Sequence, residues 1–227
     1  MNVGFYATKL QALVMKEREE IEAGYERYPD STGFWSFIDL VGSSNYRIVH
    51  GLKAGYVRGE TFFSLVGAVV SRCVDLHLIK EIGDAVLLGC SSFRPLFECL
   101  VLVDQISRQM ADLAGTQNFP FAIRGGIGFG PAKRLARRHE DFLGAPIDQL
   151  SRIMGIRSER SNLLIDEDAY NPSKDILQEY RPQIETGHPQ LVPEAKSKGM
   201  VRSVYYREII VDHESLPEFR NHFSYWK

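Results

Sequence analysis

Apolar side chains recur at roughly helical spacing across residues 5–24 (FYATKLQALVMKEREEIEAG), which predicts an amphipathic helix. YPDSTG interrupts that pattern and reads as a loop. FWSFIDLVG follows as a short, largely buried strand, aromatic and β-branched, closed by Gly42. Ser43-Ser44-Asn45 has the composition of a helix start, and residues 45–77 predict helix with a break near Gly55 to Gly59. LHLIKEIGDAVLLGCS reads as a hairpin of two apolar strands turning at Glu81-Ile82-Gly83-Asp84. RPLFECLVLVDQISRQMADLAG predicts a helix, and FAIRGGIGFGPA a glycine-rich strand and turn. DFLGAPIDQLSRIMGIRS fits a loop leading into a helix, NLLIDEDAY a strand and turn. After a more polar stretch, SVYYREIIV is a late strand.

The order strand, helix, hairpin, helix, strand, helix, strand predicts an α+β domain, with an antiparallel-rich sheet carrying its helices on one face. Such a sheet leaves its other face for a ligand or a partner. At 227 residues the chain suits one large domain, read here as residues 31–227 behind an N-terminal helical extension, residues 1–30. Basic and acidic side chains nearly balance, 27 against 29, so nothing favours wrapping nucleic acid. Cys73, Cys90 and Cys99 are odd in number and form no CxxC pair, which argues against a disulfide framework or zinc knuckle. The N-terminus becomes charged too soon for a signal peptide, and no run of about 18 apolar residues suggests a membrane span. A soluble, cytoplasmic protein is expected.

Chemistry concentrates at a few positions. Asp39 ends an apolar strand and Asp84 sits in a hairpin turn. Each is either an ordinary turn residue or half of a carboxylate pair, the donor set that magnesium takes together with substrate phosphates. Gly42-Ser43-Ser44 is either a plain helix cap or a cradle of backbone N–H groups for phosphate. Arg152, four residues after Asp148 on the same helix face, is either a solvated arginine or a cation placed to stabilise developing charge. The basic cluster KRLARRHED is a phosphate-facing strip or a solvated loop.

Four strings in order carry a family resemblance. FIDLVGSS resembles the first metal motif of class III nucleotidyl cyclases; IKEIGDAVL is similar to their substrate and second-metal hairpin. IRGGIGFGPA looks like their arginine-led glycine strand, and DFLGAPIDQLSR resembles their loop and helix ending in a transition-state arginine. The likeness covers roughly residues 33–207. It implies the ferredoxin-like class III cyclase fold and a catalytic domain over residues 31–227. It further implies two divalent ions, Mg2+ or Mn2+, held by Asp39 and Asp84 with the backbone of Leu40. Gly42, Ser43 and Ser44 would contact phosphate, Lys80 and Asp141 would read the base, and Arg152 would stabilise the transition state. Lys198 would bind the triphosphate, with Lys196 as the register alternative; Arg137 or Arg138 would add a phosphate contact. Where the family usually has an asparagine that orients the ribose, this chain has Asp148, which adds negative charge near the phosphates. Family members are dimers whose sites draw on both subunits, so a homodimer would pair Asp39 and Asp84 with the partner's Arg152.

The implied reaction converts a nucleoside triphosphate to its 3′,5′-cyclic nucleotide and pyrophosphate. Lys80 with Asp141 is the pair expected of adenylate cyclases. Yet the bare domain, its extra N-terminal helix and the large polar Asn45-Tyr46-Arg47 resemble the stand-alone pyrimidine cyclases of Pycsar antiphage defence, with Tyr46 either narrowing the base pocket or serving as a core or surface residue. The expectation is therefore UTP to cUMP, with ATP to cAMP as the alternative. A non-catalytic nucleotide-binding homologue is the remaining reading, with Asp148 as its support.

Overall fold

The computed structural model describes residues 30–113, 122–135, 141–156, 161–197 and 202–213, with isolated positions 11, 15, 18 and 22. Those four positions are helical and exposed, and Arg18 Nε donates to Glu22 Oε1 at 2.7 Å, one turn on. The rest of the expected N-terminal helix lies outside the described residues, as does Lys198 and the pair Arg137 and Arg138.

The longest strands in the sheet are β1 (Asp30–Leu40) and β4 (Ile123–Arg134), paired antiparallel from Asp30↔Lys133 to Leu40↔Ile123. The hairpin β2 (Leu76–Ile82) and β3 (Ala85–Cys90) adds to the other edge of β1. β6 (Leu163–Asp166) lies parallel to β4, and β9 (Tyr205–Val211) and β7 (Ile184–Thr186) complete the order β2-β3-β1-β4-β6-β9-β7. Two short strands flank this path, β5 (Phe142–Leu143) on β4 and β8 (Gln190–Leu191) on β9. The described helices are α1 (Ser43–His50), α2 (Leu52–Val70), α3 (Phe93–Leu113), α4 (Ala145–Ile153), α5 (Glu167–Glu179) and α6 (Glu194–Ser197). The fold is the mixed α+β class expected from the element order, and no described helix is long and apolar enough to cross a membrane.

Strand periodicity of two sorts side chains to opposite faces. Phe34, Ile38 and Leu40 of β1 join Val86, Leu88 and Cys90 of β3 in the main core, closed by Phe62 and Val66 of α2, Phe97 and Leu100 of α3, and Ala169 and Leu177 of α5. The alternate residues Trp35, Phe37 and Leu87 form a smaller cluster under Ile147 and Leu150 of α4. Most helices thus share one face, and the short α4 crosses the other. It fits closely there because β4 carries glycine: a Cβ built on Gly126 would stand 3.0 Å from Met154 Sδ, and one on Gly128 would stand 3.0 Å from Leu150 Cγ.

Three boundaries differ from the sequence reading. The 45–77 helix breaks at Gly51, not at Gly55 to Gly59, and ends at Val70. Gly51 has φ 86, a left-handed conformation open to glycine, whereas Gly55 stays helical and leaves room for the Arg47 side chain. β1 begins at Asp30 inside the expected YPDSTG loop, because Asp30 to Gly33 find partners in Gly130 to Lys133. DEDAY does not end in a turn; Asp166 Oδ1 accepts from Ala169 N at 2.6 Å, and this N-cap starts the 13-residue α5.

Candidate active site

Asp39 occupies the last but one position of β1, opposite Ala85 on β3 and Arg124 on β4. By alternation it faces away from the main core, on the α4 side. Asp84 closes the β2–β3 turn, which Gly83 makes with φ 65, and its carbonyl accepts from Leu40 N at 3.1 Å. The two carboxylates influence each other: burial and then the charge of Asp84 raise the Asp39 pKa, and Arg124 and the Leu40 N–H pull it down. A pair of half-buried, mutually repelling carboxylates is the arrangement that a divalent cation relieves. Ser43 Oγ donates a short hydrogen bond to Asp84 Oδ2, fixing that carboxylate against the start of α1. The described residues contain no group of three His, Cys, Asp or Glu side chains suited to an ion. An ion at Asp39 and Asp84 would therefore complete its shell from backbone oxygen, such as that of Leu40, from water and from phosphate.

The loop after β1 turns through Gly42, at φ 71, directly into α1. Val41 N donates to Ala122 O at 2.9 Å and Tyr46 N to Gly42 O at 2.9 Å. Ser43 is buried at the helix start and Ser44 is exposed, so the first N–H groups of α1 stand free of side-chain caps, as an anion site requires. Beside this loop a cavity of about 430 Å3 is lined by Val41, Gly42, Arg124 and Asn162, among others.

Arg124 is the functional candidate that sequence reasoning missed. It faces the Asp39 side, lines that cavity, and its Nη1 donates a short hydrogen bond to Met154 O at the end of α4. Its signal was present, since it is the arginine that leads the glycine strand; only strand pairing shows that it stands beside Asp39.

Lys80 and Asp141, 61 residues apart, form an ion pair with Nζ–Oδ1 at 2.5 Å. A register shift between Leu78 and Lys80 places Lys80 opposite Leu87, so the bulge turns it toward the α4 face. Asp141 is held by Leu135 N donating to its carbonyl at 2.8 Å and by Phe142 N donating to Oδ1 at 2.9 Å. The Phe142 ring packs against Trp35 with centroids 5.0 Å apart.

Other expected residues stand elsewhere. Asp148 and Arg152 lie on the exposed side of α4, opposite the buried Ile147, Leu150 and Ile153, and the described residues offer them no side-chain ion pair. Lys196 Nζ lies against Gly155, just beyond α4. Tyr46 is buried in the contact of α1 with α2, its ring 4.4 Å from the His50 ring and 4.8 Å from the Arg58 guanidinium. Of the two roles open to Tyr46 in the sequence, its surroundings are those of the core residue.

No protein-family model matches the chain. The pH-sensitive adenylate cyclase MT1302 of Mycobacterium tuberculosis is 29% identical over 137 residues, which are 58% of this chain and 30% of that protein. The match therefore spans less than a third of that relative's length. Among solved structures, the adenylyl cyclase CyaB from P. aeruginosa superposes with a TM-score of 0.62 at 17% identity, covering 82% of this chain and 96% of that one. The guanylyl cyclase Cya2 gives 0.61 at 16%, covering 82% and 95%. A bacterial light-regulated adenylyl cyclase gives 0.63 at 13%, covering 93% and 65%. The chain has the fold of these cyclase catalytic domains.

Proposed function

We propose that the chain is a nucleotidyl cyclase that converts UTP to cUMP and pyrophosphate, working as a homodimer and supplying a second messenger in antiphage defence. The observation that carries the cyclase reading is the convergence of Asp39, Asp84, Ser43 and Arg124 at one end of a sheet whose fold is that of cyclase catalytic domains.

When bound, two Mg2+ or Mn2+ ions would lower the pKa of the ribose 3′-hydroxyl and neutralise triphosphate charge. Asp39, Asp84 and the Leu40 carbonyl would hold those ions, and Ser43 keeps one Asp84 oxygen oriented. The α1 N-terminus after Gly42 receives phosphate oxygen on backbone N–H groups, with Arg124 beside it and Lys198 as the triphosphate lysine. The 3′-oxygen, giving up its proton to solvent water, attacks the α-phosphorus, and the bond from that phosphorus to the bridging oxygen breaks as pyrophosphate leaves. Asp148 and Arg152, exposed on α4, serve the site of the second subunit, where Arg152 meets the charge that develops on the α-phosphoryl group.

Lys80 and Asp141 stand one hydrogen bond apart, the spacing of neighbouring groups on one base edge. Lys80 donating to O4 and Asp141 accepting from N3–H reads uracil. The same pair, donating to N1 and accepting from N6–H, reads adenine, and the 29% identical adenylate cyclase favours that second reading. The resemblance to stand-alone pyrimidine cyclases favours UTP. Incubation with each of the four nucleoside triphosphates and Mn2+, followed by product chromatography, decides between them. cUMP as the main product is expected; cAMP as the main product overturns the base assignment, and no cyclic product from any of the four overturns the enzyme.

A further inference from the structure

Arg58 is 1% exposed, on α2, far from the expected site residues in sequence. A guanidinium is among the costliest groups to desolvate, and methionine or leucine would fill the same volume. Its Nη2 donates to Val41 O at 2.8 Å, and its Cζ lies over the Tyr46 ring, 4.8 Å from the centroid. Burial lowers its pKa, while Tyr46 and the charge of Asp84 act in the opposite direction, so it stands within electrostatic reach of that carboxylate.

The loop it touches is held by three bonds from three parts of the fold. Leu40 N donates to Asp84 O at 3.1 Å and Val41 N to Ala122 O at 2.9 Å. Both are backbone bonds. The third, to the Val41 carbonyl, comes from the Arg58 side chain. The Val41 peptide is therefore clamped on its N–H side by the segment before β4 and on its oxygen side by α2. Gly42 follows in its left-handed conformation, and the N–H groups of Ser43 and Ser44 are aimed from there.

We infer that Arg58, stacked on Tyr46, is a positioning residue that fixes the loop between Asp39 and α1 for metal and phosphate. The inference rests on the cyclase reading of that loop. It also gives Tyr46 a role: the ring is the platform that holds the guanidinium plane toward Val41. Residues that orient metal ligands through a second layer of contacts commonly shift metal affinity or turnover by about 10–100-fold.

The test compares Arg58→Met, an apolar residue of similar length, with Arg58→Lys, which keeps a donor for Val41 O but loses the planar stack. Mn2+ binding is read by electron paramagnetic resonance with a non-cyclisable triphosphate present; turnover and thermal midpoint are read alongside. Arg58→Met is expected to fold with a midpoint near wild type, to bind Mn2+ about 10–100-fold more weakly and to lose kcat in step. Arg58→Lys is expected to recover part of both. Wild-type Mn2+ affinity in Arg58→Met overturns the inference, and so does a collapse of the midpoint in both variants, which makes the residue purely structural. Wild-type protein that binds Mn2+ with triphosphate but forms no cyclic product sinks the cyclase reading and leaves the loop inference to the same binding comparison. Wild-type protein that binds no Mn2+ overturns both.

Discussion

One face of the sheet presents Phe34, Ile38, Leu88 and Ile127 to α2, α3 and α5; the other presents Trp35, Asp39, Lys80 and Arg124 toward the short α4. The two sets alternate along the same strands, so a shift of one residue in register would exchange them. The first face is sealed and mostly apolar, and it contributes stability. The second face carries half-buried charge, offset in part by the Lys80–Asp141 ion pair and by Arg124 beside Asp39.

That contrast fixes what substitutions on each side should do. The largest effect is expected from Asp39→Ala: turnover falls by about a thousandfold or more, the equivalent of several kcal/mol of charge stabilisation, while the thermal midpoint holds or rises because a half-buried carboxylate repelled by Asp84 is removed. Cyclic nucleotide formation and a melting curve on the same sample check both halves. Leu88→Ala on the core face should do the reverse. It should cost about 2–5 kcal/mol in a urea titration while the folded fraction keeps its turnover per molecule.

Asp166 breaks the simple division of faces. It caps α5, is 1% exposed, and its Oδ2 is buried against Gly128 with no hydrogen-bond partner among the described residues. Burial, the largest cause, raises its pKa from 3.8 to about 7. A carboxyl whose folded value is raised contributes stability that is fully present below about pH 4 and is lost as pH climbs through about 7. Asp166→Asn keeps the capping oxygen and cannot ionise. The stability difference between variant and wild type should therefore grow by about 2–4 kcal/mol from pH 4 to pH 8, in the variant's favour. Parallel urea titrations at the two pH values that differ by a constant amount would show that Asp166 titrates normally. The smallest effect is expected at Lys80: Lys80→Ala should raise KM about tenfold and flatten the preference among the four bases, with kcat changed less, because a partly exposed charged hydrogen bond is lost. Steady-state kinetics on all four triphosphates measure it.

The sheet strands and main helices were legible because period-two and helical patterns are local. So was the Asp84 turn, which needs only Gly83 and two apolar runs. What escaped depended on pairing between distant segments. β1 starts early because Gly130 to Lys133 are available opposite Asp30 to Gly33, and no local signal announces that. NLLIDEDAY reads as a strand and turn, although the Asp166 cap that starts α5 is present in the string. Within the site, Asp39, Asp84, Ser43, Lys80 and Asp141 were named from motifs, and the structure brings them into two neighbouring groups. Arg124 entered only as the lead of the glycine strand, without a role, and Arg58 not at all; pairing opposite Asp39 and burial against Tyr46 distinguish them. The contact of Tyr46 with Arg58 on α2 likewise joins two helices and has no local signal.

Arg152 is exposed on α4, and the proposed function assigns it to the site of a second subunit. Mixing two inactive variants, Asp39→Ala and Arg152→Ala, tests that arrangement most directly. In a mixed dimer one site joins intact Asp39 with intact Arg152, and the other loses both. With free exchange, half the dimers are mixed and one of their two sites works. The account predicts that cyclic nucleotide and pyrophosphate formation recovers to about a quarter of wild type on mixing. A mixture as inactive as its two components would contradict it.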